Sequence, residues 1–482
     1  MENLKIPEET GTVIKLLEES GFEAYIVGGC VRDCLLGREP ADFDVTTSAK
    51  VEEMVSVLSD YKLKLGGAKH GTVMAIVNGV PVETTTFRVD GAYADHRHPD
   101  EVVFTKKLSE DLKRRDFTIN AMAYSPITGL VDNHSGTEDL KNRIIRAVGD
   151  PQLRFREDAL RILRAVRFAA KLDFTIEENT YMAMLDNREA LKFVSVERIY
   201  KELEGVFSAP DGKALERVLR DYKEIFFEII PEMRVCDGFP QKNVFHCYDV
   251  YNHIVKCVGA VENNFILRLT MYFHDIGKPA AETYGPDGAQ HFHGHPELGA
   301  EMTDKILQRL RAPNRVRVKT ALYVSHHEDF KDIMKNARND GKMSLAPATG
   351  VITGPIIGMF IKKVGSPEDA VELSKILRAD LAGKSELAIK WTAPAVDEAA
   401  KMIYNYAAEK RVYRTSQLAV KGSELKKIGV PPGELTGKIL DELLDEVILE
   451  KIDNNKECLL SLAADIKKRL EENAGDSQGG FL

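Results

Sequence analysis

Residues 28–47, GGCVRDCLLGREPADFDVTT, combine a double glycine, an Arg-Asp pair and an Asp-x-Asp in that order. The two glycines follow the β-prone segment Phe22–Val27, and because they lack side chains their backbone N–H groups can approach a triphosphate closely. Asp42 and Asp44 flank Phe43, and a strand here would place both carboxylates on one face. Two converged carboxylates repel each other unless a cation lies between them. The spacing therefore predicts a Mg²⁺ site beside a bound nucleotide.

An Asp-x-Asp alone also fits a solvated turn, and Glu83 is the residue that favours a metal site. The segments Thr72–Val77 and Val80–Phe87 predict a hairpin across Asn78-Gly79, a pair typical of type I′ turns. Glu83 lies within its otherwise uncharged second strand, where an ionised carboxylate needs a partner or a metal. Three carboxylates beside a glycine turn suit two-metal phosphoryl or nucleotidyl transfer, with Asp42, Asp44 and Glu83 as catalytic residues.

Five motifs in this order resemble those of the bacterial tRNA nucleotidyltransferase and poly(A) polymerase family, within the DNA polymerase β superfamily. They are GGCVRDCLLGREPADFDVTT, HGTV (70–73), ETTTFR (83–88), EDLKRRDFTINAMAY (110–124) and REDALRILRAVRFAAKL (156–172). The resemblance covers residues 20–235 at motif level and continues more weakly to about residue 470. It implies an α+β fold, in which a small mixed-sheet nucleotidyltransferase head precedes a mainly α-helical neck, HD body and tail.

Turn signals divide the chain into five predicted segments. They are a catalytic head (1–148), a helical neck that binds the nucleobase and tRNA (149–236), an HD phosphohydrolase-like domain (237–392), a helical tRNA-binding tail (393–472) and a disordered C-terminus (473–482). The neck is expected to be a set of helices broken near Asp173, Ser195 and Asp211. In the tail, GVPPGELTGKILDELLDEVI (429–448) predicts a Pro-Gly turn that leads into a helix.

The composition indicates a soluble, cytoplasmic protein. No apolar run approaches the length of a membrane span, no secretory signal is visible, and the six cysteines form no disulfide framework. Although the net charge is −9, two segments are rich in basic residues. Residues 141–171 contain nine Lys or Arg, and residues 305–319 contain six. Both are candidate phosphate tracks for a nucleic acid, although charged helix faces are often only solvated.

Asp158 and Arg161 are candidates for reading a nucleobase. They lie at helical spacing, with Arg164 and Arg167 continuing the series. Cytosine and adenine both present an amine donor beside a ring-nitrogen acceptor, so one carboxylate and one guanidinium can pair with either base, whereas uracil and guanine present the reverse pattern. The alternative is an ordinary i,i+3 salt bridge. The resemblance favours base reading, because EDxxR is the family's nucleobase-reading motif.

The resemblance also implies a wider nucleotide site. Its expected members are Gly28, Gly29, Arg32, Asp33, Arg114, Arg115, Asp116, Asn120, Asp158, Arg161, Arg164 and Arg167. The family's ERxxxE motif appears as Glu197, Arg198 and Glu202, whose individual roles are open. Residues 89–101, with Arg97, match the flexible loop that helps the family's site switch from adding C to adding A.

Eight of the twelve histidines fall between residues 246 and 327. The run MYFHDIGKP (271–279) resembles the HD signature, and the order H…HD…H…H…D implies a metal site formed by His253, His274, Asp275, His295, His326 and Asp380. Such ligands suit Mn²⁺, Ni²⁺, Fe²⁺ or Mg²⁺, with Lys278 steadying a phosphate. His327 is an alternative to His326, and His246, His291 and His293 are expected at the surface or behind the ligands. Single helical histidines are otherwise usually structural.

The expected function is template-independent addition or repair of the tRNA 3′-terminal CCA from CTP and ATP, with release of pyrophosphate. The HD domain is expected to add phosphatase or 2′,3′-cyclic phosphodiesterase activity. An A-adding transferase and a poly(A) polymerase are the nearest alternatives, and an HD phosphohydrolase with a tRNA-binding head is an alternative of another class. tRNA, CTP and ATP are the expected partners, no membrane is expected, and the oligomeric state is left open.

Overall fold

The structure is a computed structural model that describes residues 4–90, 102–329 and 353–476. It divides into two compact units. The first contains Met1–Pro231 with Arg309–Arg311, and the second contains Glu232–Gln308 with Ala312–Leu482. Mixed sheet and helices make up the first unit and helices dominate the second, as the α+β prediction requires.

A seven-stranded sheet organises the head, in the order β3-β4-β5-β2-β1-β8-β9. Its strands are β1 (Ala24–Val27), β2 (Val45–Thr47), β3 (Lys62–Lys64), β4 (Thr72–Val77), β5 (Val80–Thr86), β8 (Met122–Ser125) and β9 (Gly129–Asp132). Two short strands outside it, β6 (Arg88–Asp90) and β7 (Val102–Phe104), pair with each other. β2 and β5 run parallel, with Val45 opposite Thr84. One step back along this register, Asp44 lies beside Glu83, so the pairing joins two of the predicted metal-binding carboxylates.

The predicted hairpin is confirmed. β4 and β5 pair from Thr72↔Thr85 to Val77↔Val80 across Asn78 and Gly79. Both turn residues have positive φ, 50° and 86°, as a type I′ turn requires.

The expectation that Asp42 and Asp44 belong to a strand is corrected. β2 begins only at Val45, and Asp42 and Phe43 precede it in irregular backbone. The carbonyl of Asp44 still accepts a hydrogen bond from Val27 N–H at 3.0 Å, which fixes the end of this segment against β1. The two carboxylates therefore lie in the segment that leads into β2, and strand periodicity does not place them on one face.

Helices surround the sheet and form the neck. They are α1 (Glu8–Glu19), α2 (Gly29–Leu35), α3 (Val51–Val57), α4 (Leu108–Lys113), α5 (Gly136–Asn142), α6 (Pro151–Glu157), α7 (Leu160–Leu172), α8 (Glu178–Asn187), α9 (Val196–Phe207), α10 (Gly212–Asp221) and α11 (Lys223–Ile229). The breaks predicted near Asp173, Ser195 and Asp211 are confirmed, because α7 ends at the left-handed residue Asp173 and the other two cap α9 and α10. Short strands β10 (Ile144–Ile145) and β11 (Thr175–Ile176) pair beside α7.

The helix predicted through Glu157, Asp158 and Arg161 is interrupted. α6 ends at Glu157, Asp158 adopts extended backbone angles, and α7 begins at Leu160. Asp158 Oδ1 instead accepts the backbone N–H of Leu160 at 3.0 Å, a local hydrogen bond that competes with continued helix. Asp158 and Arg161 consequently do not share a helix face as consecutive turns would predict.

The second unit contains the HD region and the tail. Its helices are α12 (Val250–Ala260), α13 (Phe265–Phe273), α14 (His295–Arg309), α15 (Asn314–His326), α16 (Gly354–Val364), α17 (Pro367–Asp380), α18 (Glu386–Ala408), α19 (Gly422–Lys427), α20 (Glu434–Ile448) and α21 (Lys456–Asp476). A small hairpin, β12 (Thr283–Tyr284) with β13 (Gln290–His291), lies between α13 and α14. The helix predicted after the Pro-Gly turn is α20. The predicted boundary between residues 392 and 393 lies within α18.

Candidate active site of the head and candidate metal centre

Asp44 and Glu83 line an open cavity of about 300 Å³ in the head, together with Thr46, Thr72, Thr85, Arg88, Arg114 and Arg115. Burial raises the pKa of the Asp44 carboxyl, the neighbouring Asp42 and Glu83 carboxylates raise it further, and Arg115 partly opposes them. Asp42 and Glu83 are thus each close enough to repel the Asp44 carboxylate. This donor set of hard oxygens fits Mg²⁺, which Asp42, Asp44 and Glu83 would hold.

Gly28 brings the backbone close to the same cavity. Its φ of +84° is a conformation that glycine adopts readily, and α2 starts at the next residue. A side chain at Gly28 would also bring a Cβ within 2.9 Å of an Arg115 guanidinium nitrogen. Gly28 therefore leaves room for Arg115 at the start of α2.

A hydrogen-bonded network links the predicted nucleotide-binding residues of head and neck. Arg32 forms a two-pronged pair with Asp33, at 2.8 and 2.9 Å, and donates to Asn120 Oδ1 at 2.6 Å. Asn120 donates to Asp116 at 3.2 Å, and Asp116 accepts from Arg164 Nε at 2.8 Å. Burial opposes the charge of Asp116, but Arg164 and Asn120 outweigh it and lower its pKa to about 2. The network holds these groups in fixed positions relative to one another.

Arg114 and Arg115 are both held by Asp111, a residue that the sequence did not single out. Arg114 NH2 lies 2.8 Å from Asp111 Oδ1, and Arg115 NH2 lies 3.3 Å from Oδ2. Burial of Asp111 raises its pKa, but the two arginines outweigh burial and leave the pKa lowered. Asp111 lies inside the EDLKRRDFTINAMAY motif, so its position beside the arginines was the available signal.

Asp158 and Arg161 do not form the ordinary i,i+3 salt bridge. Asp158 pairs with Arg198 of the ERxxxE motif at 2.8 Å, and Arg161 pairs with Glu157 at 2.7 Å. Arg161 also donates to the backbone carbonyl of Arg114 at 3.0 Å, so neck and head meet at this residue. Each base-reading candidate is therefore oriented by a separate partner.

Phe168 is the centre of an arginine cluster that the sequence reasoning missed. The guanidinium carbons of Arg32, Arg164 and Arg167 lie 5.2, 5.4 and 4.5 Å from its ring centroid. Arg167 is further held by Glu202 of the ERxxxE motif at 2.6 Å. The arginine periodicity of α7 is visible in the sequence, but the shared aromatic ring becomes visible only in the fold.

The HD region brings four histidine rings and two carboxylates into one buried cluster. His253 Nε2 lies 3.0 Å from Asp380 and 3.3 Å from Asp275, and His274 Nε2 lies 3.2 Å from Asp275. His295 and His327 approach the other oxygen of Asp275, at 3.3 and 3.6 Å. Asp249 caps α12 and Asn264 caps α13, which fixes the helices that carry the first two rings.

The Nδ1 atom of each ring is committed to the backbone. Each Nδ1 atom donates a hydrogen bond to a backbone carbonyl at 2.7–2.9 Å. The pairs are His253 with Gly383, His274 with Met271, His295 with Phe292 and His327 with Val324. All four Nε2 atoms thereby face the carboxylates, and a backbone contact behind each ring is the arrangement in which protein metal sites hold imidazole. Among the described residues, the buried atoms without a hydrogen-bond partner include His295 Nε2 and His327 Nε2. These atoms fit a divalent metal, for which they would be ligands.

His327, and not His326, occupies the fourth imidazole position. The His326 ring instead points to Asp329, with Nδ1 2.6 Å from Oδ2. Consecutive residues at the end of a helix point about 100° apart, so only one of this pair can face the cluster. The prediction that His326 belongs to the metal site is therefore corrected to His327, the alternative named from the sequence.

Three further residues approach the centre. Lys278 lies 2.7 Å from Asp275, Lys384 pairs with Asp380, and the His246 ring lies 5.2 Å from that of His253. Burial, followed by Lys278 and His253, lowers the pKa of His246 to about 2, so its ring is neutral. His246 was expected at the surface or behind the ligands, and its ring packs against His253, one of the predicted ligands. His291 and His293 stack on each other, 5.2 Å apart.

Cys257 also belongs to the buried group around His253, His274 and Asp380. Its thiol lies 3.7 Å from His253 Nε2. The four-residue spacing from His253 on α12 was the signal that could have identified it. Of the other predicted features, Arg97 and residues 91–101 lie outside the described residues, as do residues 477–482. Within the described ranges, no helix is long and apolar enough to cross a membrane.

Sequence profiles of four families match the chain in succession. They are described as the poly A polymerase head domain (24–146), the probable RNA and SrmB-binding site of polymerase A (173–236), the HD domain (244–351) and a putative tRNA nucleotidyltransferase domain 2 (385–463). A CCA-adding enzyme of Lactobacillus helveticus is 50% identical over 209 residues, which are 43% of this chain and 52% of that protein. The first half of this chain is therefore similar to proteins of the tRNA nucleotidyltransferase and poly(A) polymerase family.

A second relative, the CCA-adding enzyme of Streptococcus uberis, is 45% identical over 216 residues, 44% of this chain and 53% of that protein. The chain spans about half the length of the curated relatives it matches. A crystal structure of the Bacillus stearothermophilus CCA-adding enzyme in complex with CTP matches with a TM-score of 0.68 and 25% identity, over 97% of this chain and 98% of that one. The Thermotoga maritima CCA-adding enzyme complexed with tRNA shares the fold, with a TM-score of 0.59 and 19% identity over 94% and 93% of the two chains.

Proposed function

We propose that this chain is a CCA-adding tRNA nucleotidyltransferase that uses CTP and ATP and releases pyrophosphate. The observation that carries the proposal is the convergence of Asp42, Asp44 and Glu83 beside Gly28 and the paired arginines 114 and 115. Several relatives of its first half are named CCA-adding enzymes, and one related structure contains CTP. Action in the cytoplasm is part of this proposal.

In this proposal, separate groups of residues bind the metal, the nucleobase and the triphosphate. When bound, Mg²⁺ would lower the charge repulsion at the carboxylates and favour attack by the tRNA 3′-hydroxyl. Asp158, held by Arg198, accepts from the amine of cytosine or adenine, and Arg161, held by Glu157, donates to the ring nitrogen. Arg114 and Arg115 approach the triphosphate from the cavity wall. Uracil would leave both base-reading groups unpaired, which disfavours it.

Labelled-nucleotide addition distinguishes this proposal from its nearest rivals. Purified protein is incubated with tRNA that ends before CCA, or after CC, and with each labelled nucleotide in turn. We expect two C residues and then one A on the shorter substrate. Addition of A to tRNA-CC without use of CTP would favour the A-adding transferase, and long A tracts on unrelated RNA would favour the poly(A) polymerase.

Asp158→Ala tests the base-reading residues separately. Without the carboxylate, the amine of cytosine or adenine loses its acceptor, so the ratio of CTP to UTP use should fall by about 10- to 100-fold. Glu204→Ala, on α9 but outside the base-reading pair, is the control. Unchanged discrimination in Asp158→Ala would remove this residue from base recognition.

We further propose that the HD region is a metal-dependent phosphohydrolase that acts on phosphate ends such as 2′-phosphates and 2′,3′-cyclic phosphates. The converged histidine Nε2 atoms, beside the carboxylates of Asp275 and Asp380, support a site for Mn²⁺, Ni²⁺, Fe²⁺ or Mg²⁺. A bound metal of this kind supplies hydroxide near neutral pH. Elemental analysis of the purified protein, with hydrolysis assays in each metal, tests this second activity.

A further inference from the structure

Lys384 contacts one carboxylate of the metal centre, Asp380, through a single oxygen. Asp380 Oδ1 lies 3.0 Å from His253 Nε2 and 3.7 Å from His274 Nε2, whereas Oδ2 pairs with the Lys384 ammonium. The Lys384 and Asp380 side chains are only 9% and 7% exposed, so salt and water screen this ion pair weakly. The two oxygens of Asp380 therefore have different neighbours, imidazoles at one and a cation at the other.

The backbone of Lys384 is fixed by the segment that precedes α12. His246 and Lys384 form an isolated antiparallel β-bridge. At the next residue, the Ser385 N–H donates to the Phe245 carbonyl and the Ser385 hydroxyl donates to the Val244 carbonyl, both at 2.9 Å. The Lys384 side chain therefore extends toward Asp380 from a backbone that is hydrogen-bonded on both sides of the bridge.

Lys278, the other ammonium of the centre, contacts its carboxylate differently. Lys278 Nζ lies 2.7 Å from Asp275 Oδ2, and the same oxygen lies 3.3 Å from His253 Nε2 and 3.2 Å from His274 Nε2. A metal held by these two histidines would share that oxygen with Lys278. Lys384 uses the oxygen of its carboxylate that is not the one measured against the imidazoles, so Lys384 and a metal can bind the carboxylate at the same time.

We propose that Lys384 is a positioning residue that restricts Asp380 to one metal-binding oxygen and weakens the affinity of the centre for metal. The inference rests on the proposed metal-dependent function of the HD region and goes beyond it, because that function alone sets neither the affinity nor the role of Lys384. A carboxylate that binds through one oxygen uses one coordination position instead of two. The position that is saved remains available to water or to a phosphate oxygen.

The charge of Lys384 sets the direction of the effect. A carboxylate or carbonyl behind a metal ligand makes that ligand more basic, and loss of such a partner usually costs metal affinity. An ammonium acts in the opposite direction, because it repels a divalent cation and stabilises the carboxylate charge that the metal would otherwise use. Removal of the Lys384 charge should therefore tighten metal binding, whereas removal of a residue that only supports the fold would weaken it.

Co²⁺ titrations of the metal-stripped, full-length protein test this sign. The visible absorption of Co²⁺ bound to imidazole gives the Kd, and His274→Ala shows which part of the signal belongs to this centre. Lys384→Met removes the charge, so the Kd should fall about 10-fold, and the spectrum should change because Oδ2 becomes available to the metal. Lys384→Arg keeps the charge and should retain the wild-type Kd and spectrum. Lys305→Met, at an exposed position of α14, is the matched control and should change neither.

Lys384→Gln provides a second neutral variant if Lys384→Met does not fold, as judged by circular dichroism. Its Kd for Co²⁺ should fall in the same direction. Unchanged or weaker Co²⁺ binding in a folded neutral variant, or failure of both neutral variants to fold, would overturn the inference. If the wild type binds no Co²⁺ and Lys384→Met does, the phosphohydrolase proposal fails while the effect of Lys384 on affinity stands. If neither protein binds Co²⁺, both proposals fail.

Discussion

Asp44 illustrates how a residue proposed to be catalytic can destabilise the unliganded fold. Its pKa is raised by burial and by the neighbouring Asp42 and Glu83 carboxylates, so its ionised form is less favourable in the native protein than in the unfolded chain. Stability is therefore lower above the raised pKa and recovers as the pH falls through it toward the unfolded value. A carboxylate placed in this way suits a site that a cation completes.

Asp44→Asn should abolish nucleotide addition, leave tRNA binding nearly intact and raise the midpoint of thermal unfolding at pH 7 without metal. The last effect follows because the amide removes the like-charge repulsion, and the gain should shrink as the pH is lowered through the raised pKa. Filter binding, addition assays and calorimetric scans at pH 7 and pH 4 measure the three quantities. Asp60→Asn, at an exposed position, serves as the control. Parallel loss of binding and addition would contradict this division of roles.

The pKa of Asp116 is lowered, so its ionised form affects stability with the opposite sign to that of Asp44. Its pKa of about 2 means that ionised Asp116 stabilises the fold above the unfolded pKa, and that this contribution is lost as the pH falls through about 2. Asp116→Asn should lower the free energy of unfolding by about 2 kcal/mol at pH 7 and by less at pH 3. Urea denaturation at both pH values measures the difference. An equal loss at the two pH values would mean that packing, and not the ion pair with Arg164, explains the effect.

Secondary structure that is specified locally could be predicted from the sequence, and pairing over long distances could not. The Asn78-Gly79 hairpin and the breaks at Ser195 and Asp211 depend on residues next to the feature, and all three are confirmed. The start of β2 after Asp44 depends on parallel pairing with β5, which no local pattern records.

In the candidate sites, too, the sequence did not predict the features that depend on how distant elements assemble. The motifs identified most of the residues, but the choice between His326 and His327 depends on where α15 ends. Asp158 leaves the predicted helix because its own side chain caps the following turn. Phe168 was missed because an aromatic residue on an amphipathic helix usually predicts only core packing, and the three arginines meet on it only when α2 and α7 are assembled.

The short turn Leu381–Gly383 gives a test at the level of elements, because it passes very close to α12. A Cβ at Gly383 would overlap His253 Nδ1 and lie 2.8 Å from Cys257 Sγ. Gly383→Ala should therefore displace the His253 ring and reduce bound metal at least 10-fold, the effect typical of losing a supporting contact behind a ligand. Metal content after dialysis, measured by mass spectrometry, checks this.

Gly437→Ala is the matched control for Gly383→Ala. Gly437 lies in α20 with no neighbouring atom within 4 Å of the added Cβ, so the change should raise helix stability by about 1 kcal/mol and leave metal content unchanged. Equal metal content in the two variants would show that α12 tolerates the added methyl group.

The whole molecule carries its two ligand sets in separate compact units. Asp42, Asp44 and Glu83 belong to the first, whereas His274, Asp275 and the other cluster residues belong to the second. His274→Ala and Asp275→Ala should each remove metal-dependent hydrolysis of 2′-phosphates while CCA addition persists. Both activities are measured on the same preparations. Loss of CCA addition in a variant that remains folded by circular dichroism would show that the two units are coupled.

The parallel pairing of β2 with β5 has a consequence for synthesis of the chain. Asp42 and Asp44 leave the ribosome about forty residues before Glu83. Because β2 acquires its β5 neighbour only after that interval, a nascent chain that stops at the β4 strand holds two of the three carboxylates and lacks the strand that aligns them. The base-reading residues of the neck follow later still. Translation therefore completes the set of three carboxylates before it supplies Asp158 and Arg161, so the groups proposed to choose the nucleotide are the last of these residues to leave the ribosome.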